Sequence, residues 1–318
     1  MTRIHPRALL ERVGLPFLYA GLGVARLYRP SFHRTSRHVY RVADRLGVFP
    51  VIDHYHDPPV RPVLDPCRER QLPGIDLRMD EQLKLLSEFD YGEELRAIPS
   101  ESNGSLSPYY DNVAFAPLDG AVYHSLLRHL KPQRVIEVGS GESTRFAANA
   151  LALNRAEGHP GELVAIEPYE SPYLERLEGA AVIRERVEDV GPEIFGQLRA
   201  GDILFIDSSH VVRPGGDVAF LLLETVPALA EGVVVHVHDV FTPDNYPVEW
   251  SQRRWFWTEQ YVVEALLTHN PRIEVVLSVH HLLKRDPELL REVCPVPPGR
   301  VPGPTPCSFW IRTTTGRN

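Results

Sequence analysis

The chain is poor in cysteine. Cys67, Cys294 and Cys307 lie far apart along the 318 residues, and no C-x-x-C pair is present. This spacing excludes a zinc-thiolate site and is typical of a protein in a reducing compartment, so it predicts a cytoplasmic location. A disulfide between Cys294 and Cys307, across a proline-rich loop, is the alternative, and free thiols are favoured.

A long hydrophobic run is also missing. The apolar stretch at residues 15–25 contains one proline and two glycines and is followed by Arg26. It is too short to span a bilayer and predicts a buried or interfacial helix, with no signal peptide and no stable membrane insertion.

Net positive charge is absent as well. The formal net charge is -8 and the sequence pI is about 6.0, whereas a nucleic-acid partner requires a basic surface. With 43% hydrophobic and 24% charged residues, the composition is that of an ordinary globular protein with ample core material.

The motif around which the rest of the chain is organised is V-I-E-V-G-S-G-E-S-T at residues 135–144. Apolar residues flank Glu137, two glycines bracket a serine, and a helical pattern then begins. This order predicts a buried strand, a tight turn and a helix start whose backbone N–H groups face a ligand. Thr144 stands where a dinucleotide fingerprint would have its third glycine, so G-x-G-x-x-G fails.

A second carboxylate, Glu167, ends the next apolar run at residues 163–166. An acid at the end of the second strand is placed to accept both hydroxyls of a ribose. Glu137, inside the glycine motif, repels a phosphate and suits a cationic ligand. S-adenosylmethionine has a ribose, carries no phosphate, and bears a sulfonium and an ammonium, so it is the expected cofactor.

Three further motifs extend this pattern: A-I-E-P at 165–168, D-I-L-F-I-D-S-S-H at 202–210 and V-V-V-H-V-H-D at 233–239. Together the motifs resemble class I S-adenosylmethionine-dependent methyltransferases. They are most similar to the group of small-molecule O-methyltransferases and cephalosporin-hydroxylase-like proteins. The resemblance covers about two thirds of the chain, from Tyr109 to the C-terminus. It implies an α/β, Rossmann-like seven-stranded sheet with the last strand antiparallel. Residues 1–118 would be an N-terminal, mostly helical extension and cap, and residues 119–318 the methyltransferase domain.

The pattern of strands and helices agrees with this division. Strands are predicted at Val135–Val138, Leu163–Ile166, Ala181–Ile183, Ile203–Ile206, Val233–Val237, Ile273–Val279 and Ser308–Thr313. Helices are predicted at Arg37–Leu46, Asp80–Phe89, Gly120–Leu130 (capped by Asp119), Asp217–Ala230 and Glu259–Leu267, with a surface loop at His280–Pro306.

The resemblance also implies the cofactor contacts, which come from the glycine turn and from the ends of the second, third and fourth strands. The expected cofactor-binding residues are Glu137, Gly139, Ser140, Gly141, Ser143, Glu167, Val187 and Asp207. Tyr110, Asn112 and Phe115 are candidates for the acceptor pocket, with simple packing of an aromatic loop as the equal alternative.

Two strand ends carry reactive side chains. Asp207 and His210 follow Ile206, and His238 and Asp239 follow Val237. Ligands of open α/β sheets bind beyond these carboxyl ends. By resemblance to metal-dependent catechol-type methyltransferases, Asp207, His238 and Asp239 would hold a divalent metal (Mg, Mn or Fe). An imidazole among the ligands favours Mn, Fe or Zn over Mg, and a metal-free site is the open alternative.

Without a metal, a histidine is the expected base that removes the acceptor proton, since its pKa lies near neutrality. His210 is the first candidate and His238 the second, with Asp207 beside them. His236 lies on the same strand face as His238 but deeper, which indicates a core histidine. The His-x-His at residues 54–56 is interpreted as an exposed polar loop.

The stretch Phe241–Tyr261 is dense in aromatic residues and indicates a wall for a flat, ring-bearing acceptor. The expected function is methyl transfer from S-adenosylmethionine to a hydroxyl of a small organic molecule. The alternatives are a non-methylating, cephalosporin-hydroxylase-like enzyme on the same fold and a catalytically silent cofactor-binding subunit. A homo-oligomer is left open.

Overall fold

The structure is a computed structural model, and it describes residues 15–17, 19–21, 45–46, 70–169, 171, 173–253, 255–297 and 305–316. The predicted helix Arg37–Leu46 and the His-x-His at 54–56 fall wholly or almost wholly outside these residues. The chain divides into two compact units, residues 1–64 with 248–256 and residues 65–247 with 257–318. In the first unit, the short helix Val248–Gln252 is followed by Trp255, whose ring meets that of Trp250 edge to face at 5.6 Å.

The second unit is built on one seven-stranded sheet in the order β3-β2-β1-β4-β5-β7-β6. The strands are β1 Arg134–Val138, β2 Glu162–Ile166, β3 Ala180–Ile183, β4 Ile203–Ile206, β5 Val234–Val237, β6 Ile273–Ser278 and β7 Phe309–Thr313. The first five pair in parallel, and β7 lies between β5 and β6, antiparallel to both. The predicted fold class is therefore confirmed.

Both faces of the sheet are buried because helices cover each of them, and successive side chains alternate between the two faces. In β4, Ile203 and Phe205 belong to the core on one face, and Leu204 and Ile206 to the core on the other. This explains why the parallel strands are continuous apolar runs. The carboxyl ends of β1, β2, β4 and β5 then meet along one edge.

Helices complete the unit on both faces. Their bounds are Met79–Ser87, Gly92–Ala97, Pro117–Leu130, Glu142–Ala156, Val187–Val190, Asp217–Ala219, Glu259–Leu267, Val279–Arg285 and Pro287–Val293. The predicted helix at 80–89 is thus present, and it packs on the sheet. Its Gln82 is fully buried and accepts a hydrogen bond from the backbone N–H of Ser278 at 2.8 Å.

Two predicted elements differ from the structure. The helix predicted at 217–230 is α-helical only over Asp217–Ala219, π-helical over Phe220–Thr225 and 3-10 over Val226–Ala228. Pro227 has no N–H to donate, so a regular α-helix cannot continue through it. The loop predicted at 280–306 contains two short helices, of which Pro287–Val293 is capped by Asp286 through the N–H of Leu289.

Asp119 does not cap a helix, so this prediction is wrong. The helix begins at Pro117, a residue suited to the first helical position, and Asp119 lies inside its first turn. Its buried carboxylate accepts hydrogen bonds from the backbone N–H groups of Cys307 and Ser308, both at 3.0 Å. Asp119 therefore ties this helix to the start of β7.

Candidate functional site

The glycine turn brings the ends of β1 and β4 into direct contact. Gly139 has φ +80, and a Cβ on it would lie 1.7 Å from the backbone oxygen of Asp207. The N–H of Asp207 in turn donates to the oxygen of Val138 at 2.9 Å. Only glycine fits between these strand ends, because any side chain would displace the residue that begins the acidic cluster.

Thr144 closes the turn from the helix side. Its hydroxyl accepts a hydrogen bond from the N–H of Gly141 at 2.9 Å, and its own N–H donates to the oxygen of Gly141 at 3.1 Å. A third glycine at position 144 could not make the side-chain bond. The departure from the dinucleotide fingerprint is therefore a structural feature of this turn.

A cleft of 220 Å³ lies over the turn. It is lined by Ala114, Phe115, Gly139, Ser140, Gly141, Glu142, Ser143, Glu167 and Asp207. Six of the eight expected cofactor-binding residues are among these. Two larger clefts among the described residues, of 390 and 700 Å³, lie at the opposite, amino-terminal edge of the sheet, away from the acidic and imidazole clusters.

Glu137 and Val187 are the expected cofactor residues that do not line the cleft. Glu137 is fully buried behind the turn. Burial raises its pKa to about 7, although the nearby hydroxyls of Thr144 and Ser143 lower it in part. The side chain of Val187 is packed in the core, so only its backbone is available to a ligand. The roles of both residues in cofactor binding stay predictions.

The acidic and imidazole side chains at the ends of β4 and β5 form two groups rather than one. Asp207, His210 and Asp239 place their ligand atoms within 4.8 Å of one another. His210 Nε2 lies 3.2 Å from an oxygen of Asp207 and 3.4 Å from one of Asp239. His210 thus takes the position beside Asp207 and Asp239 that was expected for His238. His238 belongs instead to a second group, with Asp119 and Cys307. Both His210 and Asp239 have φ +59, the left-handed region that a non-glycine residue enters at a cost.

The surroundings of His210 favour the protonated form of its imidazole. Burial alone would lower the pKa of His210, but the carboxylates of Asp207 and Glu259 outweigh burial and raise the pKa well above its ordinary value. An imidazole that is already protonated cannot accept a further proton. With a cation between the two acids, Nε2 would be a ligand. The roles of His210 and His238 as the base stay predictions.

Glu259 was not among the expected site residues. It begins the helix Glu259–Leu267, its side chain is 1% exposed, and its Oε2 lies 2.9 Å from His210 Nδ1. The N–H groups of Thr258 and Glu259 also donate to the backbone oxygen of His210, at 2.8 and 3.2 Å. A carboxylate behind an imidazole is the arrangement that orients histidine ligands of metals. Glu259 lies 49 residues beyond His210 along the chain, and no local pattern links the two.

The second group consists of His238, Asp119 and Cys307, all buried. Its imidazole Nε2 lies 3.9 Å from the Cys307 sulfur, and its ring is 5.1 Å from that of Phe115. Burial alone would lower the pKa of His238, but Asp239 and Asp207 outweigh it and raise the pKa. Cys307 and Cys294 are both free thiols, in agreement with the sequence prediction.

His236 occupies the core, as expected. It is fully buried, its ring stacks on Phe205 at 3.9 Å, and its Nε2 is 3.1 Å from the hydroxyl of Ser308. Burial lowers its pKa well below the ordinary value, which keeps the imidazole neutral. It takes no part in either group.

The three candidates for the acceptor pocket, Tyr110, Asn112 and Phe115, have different surroundings. The ring of Tyr110 is fully buried and its hydroxyl donates to Leu95, so it packs in the core. The side chain of Asn112 accepts the N–H groups of Ala114 and Phe115 and thereby shapes the loop. Phe115 lines the cleft.

Among the aromatic residues after β5, Trp257 contacts the site directly. Its ring centroid lies 4.2 Å from that of His210, at an angle of 33°. Trp257 and Phe115 therefore present aromatic surfaces next to the two groups. The sequence identified the aromatic segment but not this residue in particular.

Sheet order, glycine turn and clustered strand ends define a class I methyltransferase fold. In agreement, residues 136–240 match a family model described as "Methyltransferase domain". The resemblance drawn from the motifs is thereby confirmed over this stretch.

Several known proteins are similar to parts of this chain. An uncharacterised protein from Archaeoglobus fulgidus is 32% identical over 136 residues, which cover 41% of this chain and 61% of that protein. Among solved structures, the O-methyltransferase TomG from Streptomyces achromogenes, in complex with SAM, covers 75% of this chain and 92% of its own at 17% identity and TM-score 0.38. An O-methyltransferase from Bacillus cereus, in complex with SAH, covers 72% of this chain and 100% of its own, at 15% identity and TM-score 0.41.

Across the residues that the structure describes, no helix combines the length and the apolar character needed to traverse a bilayer.

Proposed function

We propose that this protein is an S-adenosylmethionine-dependent methyltransferase that transfers a methyl group to a hydroxyl of a small, ring-bearing organic acceptor. We further propose that residues 119–318 are its methyltransferase domain, that residues 1–118 are an extension and cap, and that it acts in the cytoplasm. The observation that carries the proposal is the cleft over the glycine turn, which has Glu167 on its wall and Asp207 at its border with the acidic cluster.

The charges of the cleft suit a cationic nucleoside. Glu167 lies at the end of β2, where a carboxylate accepts ribose hydroxyls, and its Oε1 is held by the N–H of Tyr169 at 2.9 Å. Glu137 lies buried behind the turn as a second acid. Glu142 also lines the cleft, and its carboxylate is paired with Arg145 at 3.0 Å. A pyrophosphate would meet the carboxylate of Glu167, and no arginine or lysine is among the described residues that line the cleft.

The donor set of Asp207, His210 and Asp239 fits a divalent cation with mixed oxygen and nitrogen ligands, such as Mn²⁺ or Fe²⁺. Bound there, the cation would supply Lewis acidity, which lowers the pKa of an acceptor hydroxyl and orients it. Burial alone would raise the pKa of Asp207, but His238 and His210 outweigh it and lower the pKa. Asp207 is therefore ionised at neutral pH.

The residues of the chain position the reactants. Asp207 lines the cofactor cleft and also belongs to the acidic cluster, so the acceptor oxygen and the cofactor methyl would meet at this residue. Such alignment is the main requirement of methyl transfer, because the sulfonium methyl is already electrophilic. Trp257 and Phe115 offer flat apolar contacts for the acceptor ring and exclude water from the hydroxyl.

The test is incubation with methyl-labelled S-adenosylmethionine, Mn²⁺ and a panel of phenols and catechols, each paired with its amine analogue. Labelled product from the hydroxyl compounds and its loss in Asp207→Asn are expected, while Asp80→Asn, at the start of the helix Met79–Ser87, keeps full activity. Binding of the cofactor in calorimetry without any methylated product would favour the non-methylating alternative. Absence of cofactor binding would contradict the proposal.

A further inference from the structure

The group behind the candidate active site contains the ligand types that zinc prefers. Asp119, His238 and Cys307 place one carboxylate oxygen, one imidazole nitrogen and one sulfur within 4.8 Å of one another. The sulfur lies 4.0 Å from Asp119 Oδ2 and 3.9 Å from His238 Nε2. Sulfur, nitrogen and oxygen ligands in a small buried group are typical of tetrahedral zinc.

The buried imidazole of His238 has little else to bind. The residue is 4% exposed, and its Nδ1 has no hydrogen-bond partner among the described residues. Its Nε2 makes two long contacts, each of 3.9 Å, to the Cys307 sulfur and to Oδ1 of Asp239. Buried polar atoms without partners are costly and rare. Coordination would occupy Nε2, the nitrogen that faces the sulfur and the carboxylates and that has only long contacts to them.

Asp239 connects this group to the first one. Its Oδ1 lies 3.0 Å from the Cys307 sulfur, and its Oδ2 lies 3.4 Å from His210 Nε2. The two oxygens of one carboxylate therefore face two different sets of ligands. Bridging carboxylates have this arrangement in sites that hold two metal ions close together.

We propose that the protein has a second metal site, of zinc type, with Asp119, His238 and Cys307 as ligands and Asp239 as a carboxylate bridge to the group of Asp207 and His210. Binding converts the thiol of Cys307 to a thiolate, and its proton is released to solvent. The site holds the start of β7 against β5 and the helix Pro117–Leu130, since each ligand comes from, or lies next to, one of these elements.

Sequence spacing alone could not indicate this site. Cys307 is 188 residues from Asp119 and 69 from His238, and it has no neighbouring cysteine. Only the insertion of β7 beside β5 brings the thiol to the site. The absence of a C-x-x-C pair excludes only a thiolate metal site whose cysteine ligands are close together in the sequence.

The test is titration of the full-length, metal-free protein with Co²⁺, followed by near-ultraviolet absorption, with zinc stoichiometry measured in parallel. A thiolate-to-cobalt charge-transfer band is expected, together with two equivalents of zinc per chain. Cys307→Ser should lose the band and one equivalent. Cys294→Ser, at the other described buried cysteine, and Cys67→Ser should keep both.

Two further variants keep the test decisive if Cys307→Ser fails to fold. His210→Gln should lose the first equivalent and retain the thiolate band, whereas Asp119→Asn should weaken or lose the band with the thiol still present. In the unmodified protein, zinc should slow alkylation of Cys307 at least tenfold and leave Cys294 unchanged. A band that persists in Cys307→Ser, or wild-type protein with no band and no protection, would overturn the proposal. A band without any methylated product would leave this site in place and remove only the proposed methyl transfer.

Discussion

The carboxylate of Glu259 lies 2.9 Å from Nδ1 of His210, and its side chain is 1% exposed. The same histidine turns Nε2 towards Asp207 and Asp239. The contact of Glu259 with Nδ1 thus fixes the orientation of the ring and the direction in which Nε2 points. Among the described residues, Glu259 itself makes no hydrogen bond to Asp207 or Asp239. Glu259 is therefore a positioning residue for the cluster.

Replacement of Glu259 tests this role. We expect Glu259→Gln to weaken binding of Mn²⁺ by about 10- to 100-fold, the usual effect of removing the partner of a histidine ligand. Metal affinity is measured by competition with a fluorescent chelator. Glu274→Gln, on β6 in a surface pair with Arg312, is the matched control and should bind as wild type does. Equal affinity in both variants would assign Glu259 a structural role only.

Glu137 should make stability depend on pH. Its pKa in the folded protein is about 7, above the ordinary 4.5, so its contribution to stability is complete below pH 4.5 and declines as pH rises through 7. This difference in pKa corresponds to a loss of roughly 3 kcal/mol in the free energy of unfolding above pH 7. Glu137→Gln should lose this dependence in urea unfolding at pH 5, 6, 7 and 8. Glu162 forms an exposed ion pair with Arg134, and Glu162→Gln should show the same pH dependence of stability as wild type.

The same residue links pH to cofactor binding under the proposed function. A cationic cofactor favours the ionised form of Glu137, so affinity for S-adenosylmethionine should rise between pH 6 and pH 8. Calorimetry at both values measures this rise. A wild-type affinity that is flat with pH, or a rise that survives in Glu137→Gln, would separate Glu137 from the cofactor.

Gly139 should tolerate no side chain. Gly139→Ala places a methyl group 1.7 Å from the oxygen of Asp207 at a backbone with φ +80. We expect a loss of more than about 3 kcal/mol in the free energy of unfolding, or no folded protein. Gly158→Ala has a similar φ of +88 with open space around it, and should cost only about 1 kcal/mol. Equal losses in the two variants would mean that the clash is relieved.

Arg145 connects Glu142, which lines the cleft, with two other segments of the chain. Its guanidinium lies 4.2 Å from the ring centroid of Tyr173, donates to the backbone oxygen of Ser105 at 3.2 Å and pairs with Glu142 at 3.0 Å. Arg145→Gln should weaken cofactor binding by about tenfold, as the loss of a partly buried cation contact predicts. Calorimetry measures the affinity, and Arg155→Gln, on the same helix, is the control. Wild-type affinity in Arg145→Gln would show that these segments need no such contact.

Local pattern was sufficient for most of the fold. The apolar runs of the parallel strands, the glycine turn and the acid at Glu167 are each encoded within about ten residues, and all were predicted from the sequence. Where a local rule failed, a neighbouring proline decided the outcome. Pro117 begins a helix before Asp119, and Pro227 lies in the 3-10 turn with which the helical segment 217–228 ends.

The sequence by itself determined the sheet, the turn and the types of side chain at the two strand ends, because period-two burial and turn chemistry are local properties. Tertiary structure alone decided which of these side chains meet. The predicted set of Asp207, His238 and Asp239 became two groups because the chain after β4 turns His210 back onto the acids, while β7 brings Cys307 to His238. Contacts between residues 49 to 188 positions apart are set by how elements pack, and no spacing within a motif contains that information.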